Sequence, residues 1–166
     1  MNKIMSTGLA ALGLTLSTWV MALPTPSGEP ILWISGAISE TNSDSVAAFD
    51  EAMVSQLPQA TIHTNNHVVE SVVEYQGPTL ESVLDLVGAK GESVKVVAWD
   101  DYVVSIPIAD ITKYQVLLAT HEAGERMSID DKGPFFVVFP FSDYPELRND
   151  YYYSLSAWQV KDIIVE

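Results

Sequence analysis

Apolar positions along this chain fall into short runs, and the period of the runs changes from segment to segment. Ile31-Leu32-Trp33-Ile34-Ser35-Gly36 predicts a short apolar strand after the turn-rich stretch Thr25–Pro30. Val46, Phe49, Met53 and Leu57 recur at three- and four-residue spacing. That spacing predicts a helix capped by Ser43 or Asp44 and stopped by Pro58. Residues 60–73 are rich in β-branched side chains and predict one or two strands. Leu80, Val83, Leu84 and Val87 share one face of a second helix, opened by Gly77-Pro78-Thr79 and closed at Gly88. Two apolar runs, 94–99 and 102–106, meet at Asp100-Asp101 and predict a hairpin. One helical turn is expected over 108–112, a strand over 116–122 and a turn at Gly124. Phe135, Val137 and Phe139 alternate as a buried strand does, and Trp158 to Val165 reads as the last strand. Many short strands with few helices predict an α+β, mostly β, domain.

The N-terminal residues follow a different pattern. Lys3 is followed by 19 uncharged residues, Ile4 to Ala22, and Val20-Met21-Ala22 places compact residues where a signal peptidase would cut. This is the layout of a secretory signal. A membrane-spanning helix is the competing reading, since a span needs about 20 apolar residues. Ser6, Thr7, Thr15, Ser17, Thr18 and two glycines, with no basic flank after them, favour the signal. The expected division is a signal peptide over 1–22, a leader over 23–30 and one domain over 31–166. The expected location is the periplasm, reached by the general secretory route, with no membrane insertion after cleavage.

Charge narrows the partners. The chain carries a formal net charge of −14, and removing Lys3 leaves seven Lys and Arg against 22 Asp and Glu. Such a surface repels phosphate backbones and anionic lipids, so nucleic acid and membrane surfaces are not expected partners. A hydrophobic content of 48% argues for a folded domain. The sequence has no cysteine, so it offers no disulfide, thiolate nucleophile or thiolate metal ligand.

Candidate chemistry is sparse. His63 and His67 are four apart, which on a helix would make a metal-ligand pair with Glu70 or His121 as a third donor. In a β-rich segment the same spacing separates the rings by about 13 Å, too far for one ion, and two partly exposed histidines are expected instead. Asp100-Asp101 reads as a solvated turn or a ligand contact. Tyr151-Tyr152-Tyr153, taken as a strand, would point to alternate faces and leave one or two rings exposed for binding. No Ser-His-Asp arrangement, Gly-x-Ser-x-Gly motif or phosphate-cradling glycine loop is present.

The order of several motifs carries a resemblance. Gly77-Pro78-Thr79-Leu80 is followed by Asp101-Tyr102, Ile106-Pro107, Leu117-Leu118-Ala119 with Gly124, Lys132-Gly133-Pro134, Pro140 and Trp158-Gln159-Val160. From about Ile31 to the end, the chain resembles the molybdopterin-binding oxidoreductase domain, the fold of the sulfite oxidase catalytic domain. It looks most like small exported proteins of that family. The resemblance implies a pocket near the Asp101-Tyr102 hairpin. It also implies a metal-ligating cysteine in the stretch matching Thr61 to Asn65, where none stands. His63 would be a neutral ligand there. Arg148, with Lys132 and Arg126, would be the candidates to hold a cofactor phosphate.

Two functions follow as expectations. One is a binding or sensory accessory module that has kept the fold without a cofactor. Its pocket would be lined by His63, Asn65, Trp99, Asp101, Tyr102, Arg148 and Tyr151, with Arg148 pairing a small-molecule anion. Its partner would be that anion or the periplasmic domain of a membrane signalling protein. The other is an oxidoreductase dependent on molybdopterin. The missing cysteine and a signal without an arginine pair favour the first.

Overall fold

The computed structural model describes residues 22–166. The expected signal, apart from Ala22, therefore lies outside the described residues. Among the described residues, no helix is long and apolar enough to cross a membrane.

The chain runs through β1 (Pro30–Gly36), β2 (Ala47–Asp50), α1 (Glu51–Gln56), β3 (Gln59–Thr64), β4 (Val73–Pro78) and α2 (Leu80–Leu86). It continues through β5 (Ser93–Ala98), β6 (Val103–Pro107), α3 (Ile108–Tyr114), β7 (Leu117–Ala119), β8 (His121–Glu122) and β9 (Glu125–Arg126). β10 (Phe136–Val138), a 3-10 turn (Pro145–Leu147), α4 (Asp150–Leu155) and β11 (Val160–Val165) complete it. The α+β, mostly β, expectation holds.

Three sheets organise these elements. A five-stranded sheet has the order β2-β1-β11-β5-β6, with β1 and β11 parallel and the other pairs antiparallel. A four-stranded sheet has the order β3-β4-β8-β9, and β7 pairs with β10 between the two layers. β7 and β10 are buried on both faces. Phe135, Val137, Phe139 and Leu118 join the main core, whereas Phe136, Val138, Leu117 and Ala119 join a second core around Tyr75 and Met127. Alternating side chains on a strand thus feed two cores, which is why this segment is apolar without interruption.

Helix α2 follows its sequence signals: Thr79 accepts from the Ser82 amide at 3.2 Å, and Gly88 takes φ +59° just past the helix end. Gly77 has a further role that the motif does not advertise. A Cβ there would lie 2.3 Å from the Leu118 carbonyl oxygen, so β4 can approach β7 only with glycine at this position.

The structure corrects three local expectations. The first helix does not start at Ser43 or Asp44. Residues 47–50 form the edge strand β2, fully buried and paired with β1, and the helix begins at Glu51 with Asp50 as its cap. The Asn42 side chain clasps the Ala48 backbone at 2.8 and 2.9 Å, which draws this segment into the sheet. The strand expected over 116–122 is split between β7 and β8, which belong to different sheets. Tyr151-Tyr152-Tyr153 lie in helix α4, not in a strand.

Candidate functional site

An open cleft of about 420 Å³ forms where three segments meet. The β3–β4 loop contributes His67, and the β5–β6 hairpin contributes Asp100 and Tyr102. Helix α4 and the stretch after it contribute Asp150, Tyr153, Ser154, Ser156, Ala157 and Trp158. A volume of this size suits a small ligand.

Each wall is held by identifiable contacts. In the β3–β4 loop, the Asn66 carboxamide oxygen accepts from the Val68 and Val69 amides at 2.8 and 2.7 Å. Its nitrogen donates to the Tyr75 hydroxyl at 3.1 Å, and Tyr75 in turn donates to Glu122 at 2.9 Å. Burial, and then the neighbouring Glu122 carboxylate, push the Tyr75 hydroxyl well above its usual range, so it stays a donor. Lys132 sits 2.7 Å from Glu122 and 3.0 Å from Asp131. Burial opposes its charge, but the two carboxylates outweigh burial and raise its pKa. The Lys132 carbonyl accepts from Gln159, the residue after Trp158. One polar network therefore ties the His67 loop to the opposite wall.

The hairpin and the helix are tied directly. The Tyr102 hydroxyl donates to the Ser154 carbonyl at 2.8 Å, and Asp100 accepts from the Tyr102 amide at 3.0 Å. Asn149 caps α4 by accepting from the Tyr152 amide at 3.2 Å. Helical steps of about 100° then send the three tyrosines in three directions. Tyr151 faces solvent with 52% of its surface exposed. Tyr152 packs on Tyr114 and Phe139, and burial with the Tyr114 contact pushes its hydroxyl up to about 12. Tyr153 packs on Phe141 at 5.0 Å and on His67 at 5.3 Å. Trp158 rests against Phe136 of the second core at 6.4 Å.

Of the seven residues expected to line a pocket, Tyr102 lines this cleft and the other six lie elsewhere. His63 is exposed on β3 and faces Glu74 across the sheet at 3.2 Å. Asn65 exchanges hydrogen bonds with Ser142 at 3.2 and 3.3 Å. Trp99 stands edge-on to Trp33, with Lys161 5.2 Å above its ring. Asp101 occupies the hairpin turn at φ +65°. Arg148 donates to the Phe141 and Ser142 carbonyls at 2.7 and 3.0 Å, which commits two of its nitrogens to holding a loop. Tyr151 lies two residues before Tyr153, which takes the wall position. His67, Asp100, Tyr153 and Trp158 each stand out in the sequence, but nothing there makes them neighbours. Asn149-Asp150 was the available signal: a capping pair there would have identified α4 and its helical phase. Among the described residues, no group of three His, Asp or Glu side chains could hold a metal ion, and His63 and His67 belong to different surroundings.

Comparisons with known proteins agree with the geometry at the level of fold. A family model for the oxidoreductase molybdopterin binding domain matches residues 45–142. No curated protein matches the sequence. Among solved structures, the chain is similar to the sulfane dehydrogenase SoxCD from Paracoccus pantotrophus, with 16% identity and a TM-score of 0.61. The match covers 81% of this chain and 37% of the SoxCD chain, so this protein spans little more than a third of that one's length.

Proposed function

We propose that this chain, which belongs to the oxidoreductase molybdopterin-binding domain family, works as a periplasmic binding module that does not use the molybdenum cofactor. The observation that carries this reading is the donor set. In the stretch matching the cysteine of the resembled enzymes, Thr64 is fully buried and its hydroxyl is already spent. It donates to the Asn65 carbonyl at 2.9 Å and accepts from the Ser142 amide at 3.0 Å. His63 beside it points at Glu74, and the sequence holds no thiol at all. These residues do not fit a thiolate-ligated metal.

Six of the seven Lys and Arg side chains among the described residues, all but Lys90, are already engaged and fit a pterin phosphate no better. Lys95 pairs with Glu166, Arg126 with Glu51, Lys132 with Glu122, and Lys161 with Asp162. Lys113 donates to Tyr114, and Arg148 to two carbonyls. Among the described residues, no Lys or Arg lines the aromatic cleft. The anion expected to pair with Arg148 therefore lacks a pocket around that residue, and the cleft is the better ligand site.

The partner we propose is the periplasmic domain of a membrane signalling protein. Val72, Trp99, Val103 and Tyr151 are 46–62% exposed on the segments that surround the cleft, and exposed apolar side chains suit a protein contact. A photo-crosslinking residue at Val103 in intact cells is expected to trap such a membrane protein; failure to trap one withdraws the partner.

Native protein recovered from the periplasm tests the central claim. Molybdenum content and the fluorescence of released pterin are both expected to be far below one per chain. Near-stoichiometric molybdenum and pterin would overturn the reading in favour of a molybdopterin-dependent oxidoreductase, the function that family membership brings with it.

A further inference from the structure

The aromatic cleft carries negative charge that the rest of the chain leaves uncompensated. Asp100 and Asp150 both line it, and among the described residues neither is paired with a Lys or Arg. Tyr102, Tyr153 and Trp158 line the same cleft. We infer that the cleft is a receptor for a small organic cation, of the alkylammonium or quaternary ammonium class. This inference rests on the binding-module reading and gives it a ligand chemistry.

Three physical features converge on that class. Aromatic faces attract cations through their quadrupole, most strongly for soft, weakly hydrated ammonium groups. Two carboxylates beside those faces supply the countercharge, and a strongly acidic chain repels anionic competitors. The walls are built before the ligand arrives. Tyr102 is anchored on the Ser154 carbonyl, Tyr153 between Phe141 and His67, and Trp158 on Phe136. Preorganised aromatic walls lower the ordering cost of binding. A volume of about 420 Å³ accommodates a compact ligand and leaves room for water beside it.

The test uses choline as the probe cation and 3,3-dimethylbutan-1-ol as its uncharged carbon isostere, titrated calorimetrically into the native protein. Acetate serves as the anion control. Choline is expected to bind one per chain, at least about tenfold more tightly than the isostere. Its affinity is expected to weaken as sodium chloride rises from about 10 to about 150 mM, because both carboxylates are exposed. The isosteric double variant Asp100→Asn/Asp150→Asn is expected to lose about tenfold in affinity for choline and little for the alcohol. Tyr153→Leu is expected to weaken choline comparably, and unchanged thermal midpoints show that the variants remain folded.

Equal binding of choline and its isostere would make the cleft merely apolar and overturn the inference. So would the absence of choline binding at millimolar concentration. Tighter binding of a short Arg-containing peptide than of choline would assign the cleft to a protein's cation instead. None of these results bears on molybdenum or pterin content, so a protein free of cofactor that ignores choline rejects this inference alone.

Discussion

Asp50 is 2% exposed, and its carboxylate gathers four donors. The Ser27 and Gly28 amides reach Oδ2 at 2.7 Å each, the Ser27 hydroxyl reaches it at 3.1 Å, and the Met53 amide reaches Oδ1 at 2.9 Å. The Gly28 and Met53 amides hold its pKa down at about 2, from an ordinary value of 3.8. The folded-state value lies below the unfolded one, so the stabilisation is complete above the ordinary value and is lost as pH falls towards 2. Asp50→Asn is expected to lower the thermal midpoint at neutral pH, with the gap to wild type closing between about pH 4 and pH 2. A gap independent of pH would remove the carboxylate from the account. Tyr75 is the second residue of this kind. Tyr75→Phe strands the Asn66 amide that braces the His67 loop and is expected to cost about 1–3 kcal/mol in urea unfolding. Neither role was legible from the sequence, because Gly28 and Ser27, which supply three of the four donors to Asp50, lie 22 and 23 residues away and Glu122 lies 47 residues from Tyr75.

At the scale of elements, local signals succeeded where the chain decides its own structure. Thr79 and Gly88 bound α2, the 94–106 hairpin turns at Asp100-Asp101, and Ile108 opens α3, all close to expectation. They failed where a distant element competes. Val46, Phe49, Met53 and Leu57 satisfy a helical period, but β1 offers residues 47–50 a paired edge, and only the second half of the pattern becomes α1. Three consecutive tyrosines suit a strand by propensity, but the Asn149 cap starts a helix. Asn149→Ala is expected to destabilise the fold by about 0.5–2 kcal/mol and to loosen the Tyr153 wall. Gly77→Ala puts a methyl group against the Leu118 carbonyl and is expected to cost about 1–3 kcal/mol, read as a lower urea midpoint. If the alanine variant unfolds with wild type, β4 and β7 are not in the close contact described.

For the whole molecule, charge and topology act together. A net charge of −14 loads the compact state with self-repulsion, so moderate salt is expected to raise the thermal midpoint. A midpoint that falls as sodium chloride is added would mean that the surface ion pairs outweigh the repulsion. The fold of the sulfite oxidase class was legible because the order of its turns and apolar runs survives in the sequence. The site was not, since its walls come from three segments spanning residues 67 to 158. Only Tyr102 among the expected lining residues reaches the cleft, and Arg148, expected to pair an anion, holds a loop.

The sequence by itself determined the α+β class, the acidity, the lack of any thiol and the identity of most turns, since composition and short-range backbone preferences suffice for these. Tertiary structure alone decided which acids remain unpaired, which tyrosine faces the cleft and which cations are already spent. Those are properties of side chains brought together from far along the chain. Helical phase, sheet pairing and the burial of Tyr75 set them, and none of the three can be read from neighbours in sequence.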